Sequence, residues 1–206
     1  MILNFKYLKH KYNMNIKGII HIGAHHGEEV EDYINSGIQD IVMFEPLSYN
    51  FEVLEQNLRD ANANISAHQV ALGNEEKMVT MYLSDNEQMS SSILKPKKHL
   101  QNHPTVHFNG VEEVEMKRLD SFSAEILNFN FINMDVQGYE LEVLKGGVET
   151  LNHVDYVYCE VNRDEVYENN AYVEQLDDFL ATYKMERVET EWSGDIWGDA
   201  LYVRRN

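Results

Sequence analysis

Short β-branched and apolar runs alternate along this chain with longer amphipathic ones, the pattern of an α/β protein. Residues 18–22, GIIHI, read as a buried strand. A turn follows from Gly23 to Gly27. Residues 27–36 read as a helix with Val30, Tyr33 and Ile34 on one face, ended by Ser36-Gly37. Residues 40–44, DIVMF, predict a second strand stopped by Glu45-Pro46. Ser48 then caps a helix over roughly 49–61, where Phe51, Leu54 and Leu58 share a face. Residues 65–70 predict a third strand, followed by Ala71-Leu72-Gly73.

Beyond this point the pattern changes. Residues 78–83, MVTMYL, alternate like a half-exposed strand, and residues 111–119 alternate again. Between them, residues 84–109 are polar and irregular, with Pro96 and Pro104; so long a loop in a compact domain predicts a functional or moving segment. Residues 129–134, FNFINM, read as a strand ending at Asp135. A short helix over 139–146 closes at Gly146-Gly147. A strand over 154–161 and a helix over 172–183 follow. The chain ends in two strands, about 185–191 and 199–204, joined by SGDIWG. A closing hairpin is unusual after a β/α series and counts against a purely parallel sheet.

Charge changes the picture of possible partners. Seventeen Lys+Arg against 35 Asp+Glu give −18, which excludes phosphate-backbone binding as a main role and disfavours anionic membranes. Lys6, Lys9, Lys11 and Lys17 stand apart from this balance, in a first stretch without acids that reads as a docked or frayed N-terminal segment. That stretch has no continuous apolar run and no small-residue cleavage site, so no signal peptide is expected. The single cysteine, Cys159, rules out an internal disulfide, reads as a small buried hydrophobe and fits a reducing cytoplasm.

Three places carry candidate chemistry. In the first βα turn, HIGAHHG, glycines at 23 and 27 allow a tight bend and close approach of a ligand to the backbone. Taken alone this turn fits an anion-binding loop and an empty tight turn equally, because the middle glycine of the dinucleotide fingerprint is missing. Glu45 ends the second strand, where an acid in doubly wound folds accepts both hydroxyls of an adenosine ribose. Turn and acid together point to an adenosine-containing ligand without separating NAD from S-adenosylmethionine. Asp135 sits at the carboxyl end of a strand, where open α/β sheets bind ligands, and Gly138 permits another tight turn.

HIGAHHGEE, MFEP, VALG, SSSIL, RLDSF, NMDVQGYELEVLKGG and CEV follow the order and spacing of the FkbM-type S-adenosylmethionine-dependent methyltransferases, which this chain resembles over residues 17–205. The resemblance implies a Rossmann-like class I methyltransferase fold: an α/β domain over 17–206 after a segment over 1–16, with a seven-stranded, mostly parallel sheet, an antiparallel last strand and helices on both faces. It implies that Gly23, Ala24 and His25 hold the methionine part of the cofactor, Glu45 the ribose with Pro46 shaping the turn, and that Ala71 and Leu72 flank the adenine. Ser91 and Ser92 match the family's SS element in the long loop, and Asp135 would stand beside the reacting centre. The family has an acid where this chain has His21 and Asn where it has His25; a neutral histidine can still donate or accept.

The implied reaction is methyl transfer to a hydroxyl of a small molecule or glycan. Asp135 and Glu160 are the expected catalytic acids, both at strand ends on one edge of the sheet and close to Asn162. Two acids and an amide are a thin ligand set, so no metal is assigned. His25 and His26 are candidate bases, with His26 read as an exposed residue at the start of a helix. His99, His103 and His107 recur every four residues, but Pro104 breaks the helix that would align them, and they read as ordinary loop residues. Trp192 and Trp197 flank the last turn and read as packing. A Rossmann-like binding module without turnover, or an NAD-dependent oxidoreductase, are the alternatives.

Overall fold

The computed structural model describes residues 2–205. Helix α1 (Phe5–Lys11) precedes the first strand, β1 (Ile19–Ile22). Then come α2 (Val30–Asn35), β2 (Asp40–Phe44), α3 (Ser48–Leu58) and β3 (Asn64–His68). A second group follows: β4 (Ala71–Leu72), β5 (Lys77–Ser84), α4 (His99–Asn102), β6 (Phe108–Lys117) and α5 (Ser123–Ile126). The chain closes with β7 (Phe131–Met134), α6 (Glu140–Lys145), β8 (Tyr156–Asn162), α7 (Val173–Ala181), β9 (Met185–Ser193) and β10 (Trp197–Arg204).

Seven strands form one sheet in the order β3-β2-β1-β7-β8-β10-β9. The first five pair in parallel. β10 lies antiparallel between β8 and β9. The closing hairpin is therefore the antiparallel element of an otherwise parallel sheet, as the sequence pattern indicated.

Alternation along β1 assigns side chains to opposite faces. Ile20 and Ile22 join Phe44, Ile126, Leu144 and Leu176 in a core beneath α5, α6 and α7. Ile19 joins Tyr33, Leu54, Phe131 and Leu8 in a second core beneath α1, α2 and α3. The N-terminal segment is docked: Phe5 meets the rings of Tyr33 and Phe131 edge-on at 5.1 and 5.5 Å, and Leu8 is fully buried.

The two half-exposed strands do not join the main sheet. β5 and β6 form an antiparallel hairpin that β4 extends in parallel. Their inner residues Val79, Met81, Val114 and Met116 pack with Leu47 and Ala71 as a small separate core. This hairpin stands over the carboxyl edge of the sheet and walls one side of the site.

Candidate functional site

The chain runs outward from β1 through β2 to β3, then returns to the other side of β1 as β7. At such a switch point the loops after the two strands diverge and leave a crevice. Here the crevice is a cavity of about 320 Å³, within the range of about 300–1,000 Å³ usual for small-molecule sites. Gly23, Ala24, His25, Glu45, Pro46, Ala71, Leu72, Ser91 and Asp135 all line it; Ser92 and Glu160 do not.

The first turn is held by backbone bonds from Gly23 and Ala24 N–H to the Phe44 carbonyl, at 2.9 and 3.0 Å. Gly23 has φ +76°, and a Cβ there would stand 1.9 Å from the Asp135 carbonyl oxygen. Only glycine lets the turns after β1 and β7 touch, and that contact brings Asp135 to the cavity.

Glu45 is buried and accepts two backbone N–H bonds, Oε2 from His25 and Oε1 from Leu47, both at 2.9 Å. Burial outweighs these bonds and raises its pKa to about 7. Beside it Asn50, 1% exposed, leaves Oδ1 without a partner and also lines the cavity. A buried acceptor without a donor is costly unless a ligand supplies one. Phe44, Val70, Leu72, Met81 and Ile93 make the rest of this end apolar. A planar heterocycle with a vicinal diol fits this set: apolar walls for its faces, a carboxylate for the diol and an unpaired amide oxygen for a further donor.

At the other end, His25 has a left-handed backbone, φ +47°. Its Nδ1 donates to Glu28 Oε1 at 2.7 Å and its Nε2 to the Glu87 carbonyl at 2.8 Å. Burial disfavours the charged ring, yet the two bonds prevail and raise its pKa to about 8. The Glu87 bond ties His25 to the segment over residues 86–92, whose Gln88, Met89 and Ser91 cover the cavity. Ser92 anchors the segment: its Oγ donates to the Gln137 carbonyl at 2.8 Å. This strap occupies the start of the long polar loop.

The DVQGYE turn is built by its own side chains. Glu140 Oε1 accepts from Val136 and Gly138 N–H at 3.1 and 3.2 Å, so this acid caps the turn from below rather than facing a ligand. Gln137 Nε2 bridges the two expected catalytic acids, 2.7 Å from Asp135 Oδ1 and 3.1 Å from Glu160 Oε2. Burial pushes both carboxyls up, against the Gln137 bond for Asp135 and reinforced by Asp135 itself for Glu160. The structure thus brings Asp135 and Glu160 together on one edge, with Asp135 on the cavity and Glu160 behind Gln137. Asn162 Nδ2 adds a bond to Glu160 Oε1 at 3.3 Å. The Tyr167 hydroxyl lies 2.6 Å from Gln137 Oε1 and 2.9 Å from the Ser90 carbonyl, with one proton for the two acceptors.

His21 is buried among Tyr33, Asn133 and Glu29: Asn133 Nδ2 donates to the Tyr33 hydroxyl at 2.5 Å, and His21 Nδ1 lies 3.4 Å from that oxygen. Burial lowers its pKa and keeps it neutral. His99 packs on Tyr167, and His107 pairs with Asp85 instead of joining it. Trp192 stacks on the Arg163 guanidinium at 3.5 Å. Cys159 is buried in the core.

Sequence reasoning missed Asn50, Gln137 and Tyr167. Asn50 carried a signal, a polar residue one turn into a helix that starts beside Glu45. Tyr167 had none, lying in an irregular stretch whose path only the tertiary structure decides.

A family model described as a methyltransferase FkbM domain matches residues 21–187. A 2-O-methyltransferase, NoeI, of Sinorhizobium fredii is 36% identical over 99 residues, covering 47% of this chain and 41% of the relative. Methyltransferase 1 of Beauveria bassiana is 29% identical over 125 residues, covering 52% of this chain and 48% of the relative. The matches thus span less than half the length of these curated relatives. The crystal structure of the Synechocystis magnesium protoporphyrin IX methyltransferase with bound SAM superposes with a TM-score of 0.54 at 8% identity, covering 97% of this chain and 76% of that one. This last likeness concerns the fold. Among the described residues no helix is long and apolar enough to cross a membrane.

Proposed function

We propose, for a chain that belongs to the FkbM methyltransferase family, that it moves a methyl group from S-adenosylmethionine to a hydroxyl of a glycan or other small molecule. The observation that carries the cofactor reading is Glu45 beside Asn50 Oδ1, a buried carboxylate and an unpartnered acceptor, at the apolar end of a cavity at the switch point. The acceptor class is supported by the relative named as a 2-O-methyltransferase.

In this reading Glu45 accepts the ribose hydroxyls, with Pro46 shaping the turn, and Ala71 and Leu72 flank the adenine. Gly23, Ala24 and His25 hold the methionine end. Ser91 covers the cofactor and Ser92 fixes the strap that carries it. S-adenosylmethionine supplies a methyl group already activated on a sulfonium, so the protein aligns the acceptor and excludes water. Gln137 occupies Asp135 Oδ1, leaving Oδ2 to take the hydroxyl proton. A carboxyl raised by burial is a stronger base for that step than an ordinary one. Glu160 acts through Gln137 as a positioning residue. The charge of −18 favours a neutral or cationic acceptor over nucleic acid. The lone buried Cys159 suits a reducing cytoplasm.

Calorimetric titration with S-adenosylmethionine, S-adenosylhomocysteine and NAD tests this. Binding of the first two alone, lost in Glu45→Ala, is expected. Binding of NAD alone, or of none of the three, would sink the reading.

A further inference from the structure

The first turn groups three side chains, of which the cofactor reading uses only His25. Glu28 Oε1 lies 2.7 Å from His25 Nδ1 and 3.9 Å from His26 Nδ1. One ligand atom from each of the three residues falls within 4.8 Å of the others. Each Nδ1 is thus within 3.9 Å of the same carboxylate oxygen; the two imidazoles stack, centroids 3.8 Å apart and planes 24° apart, so one ring turns out of the stack for both nitrogens to meet one ion. The histidine side chains are 17% and 18% exposed while Glu28 is 55% exposed, which gives a half-buried site open on one side.

We infer that His25, His26 and Glu28 bind one divalent ion of the zinc type at the mouth of the cavity, and that the ion latches the 86–92 strap over bound cofactor. Two imidazole nitrogens and one carboxylate oxygen suit zinc better than magnesium or calcium, which favour oxygen. Three protein ligands leave a fourth position free, and His25 and Glu28 both line the cavity. The outer shell is already in place. A metal-bound histidine donates its second nitrogen to a carbonyl or carboxylate, which fixes the ring; His25 Nε2 makes this bond to Glu87. Its carbonyl partner belongs to the strap, in a stretch where Glu87 and Gln88 hold left-handed φ of +56° and +64°. A metal on Nδ1 polarises the ring and strengthens that donor, so the ion and the strap reinforce one another. His26 serves the ion alone: it does not line the cavity, and its Nε2 is buried without a partner.

The latch rests on the cofactor reading, whereas the metal site stands without it. The test uses the full chain stripped by a chelator and titrated with zinc chloride by calorimetry, with cobalt absorption reporting nitrogen ligands. S-adenosylhomocysteine binding and release are measured in parallel, in wild type, His26→Gln and Glu28→Gln. One zinc per chain is expected, weakened at least about tenfold in each variant. His26→Gln keeps its S-adenosylhomocysteine affinity, and zinc slows ligand release in wild type only. No zinc binding, or equal affinity in wild type and both variants, overturns the site, since nine histidines offer other places for adventitious metal. Release unchanged at saturating zinc overturns the latch. Zinc binding that responds to both variants, without any S-adenosylhomocysteine binding, supports the metal site and strikes the cofactor reading instead.

Discussion

Glu45 is the residue on which the site turns, and its position carries an internal conflict. Two backbone donors hold the carboxylate in place, yet burial raises its pKa to about 7. In the proposed reading the ionised form is the one that would accept the two ribose hydroxyls. Its population grows as pH rises through about 7, so affinity for S-adenosylhomocysteine should rise between pH 6 and pH 8 and level off above. Titrations from pH 6 to pH 9 check this; an affinity that falls over the range would contradict it. Glu45 was legible from spacing alone because strand, turn and acid occupy fixed register in this architecture. Gln137 was not, because its work lies in a bridge between acids on two different strands. Glu140 lies in the first turn of α6, yet its side chain folds back to cap the preceding turn.

At the scale of elements, the β1 and β7 turns are useful only in contact. Gly23→Ala places a methyl group against a backbone oxygen, with a left-handed φ besides. We expect it to cost at least about 2 kcal/mol in denaturant unfolding and to abolish cofactor binding; a variant as stable and as tight-binding as wild type would refute the contact. Strand and helix runs were readable because the periods of 2 and 3.6 are local. Small displacements occur at ends: α3 starts at Ser48 rather than after it, with Leu47 in the N-cap position and no side-chain cap bond there. The long loop was legible as a length without structure; its division into a strap, a short helix and the edge of a hairpin came from contacts with Gln137, Tyr167 and Val166.

For the whole molecule, each face of the seven-stranded sheet must be covered. α5, α6 and α7 cover one face, and α1 completes the other beside α2 and α3. The N-terminal segment thus acts as part of the core, fastened outside it by Lys6 to Asp32 and by Tyr12 to the Val188 carbonyl. Leu8→Ala removes a fully buried side chain and should cost about 2–5 kcal/mol. Urea unfolding followed by tryptophan fluorescence measures it, and a loss under about 0.5 kcal/mol would show that α1 adds little.

By itself the sequence determined the α/β class, the order of the seven main-sheet strands and of α2, α3, α6 and α7, the antiparallel closing hairpin and the location of the first turn, Glu45 and Asp135. These follow from hydrophobic period, turn chemistry and distance along the chain, all of which are local. The tertiary structure alone decided that β5 and β6 leave the main sheet, that Gln137 stands between Asp135 and Glu160, that Asn50 lines the cavity with its Oδ1 unpartnered, and that His26 turns toward Glu28. Each of these depends on groups held together by packing across the fold, and no spacing along the chain encodes where a side chain points.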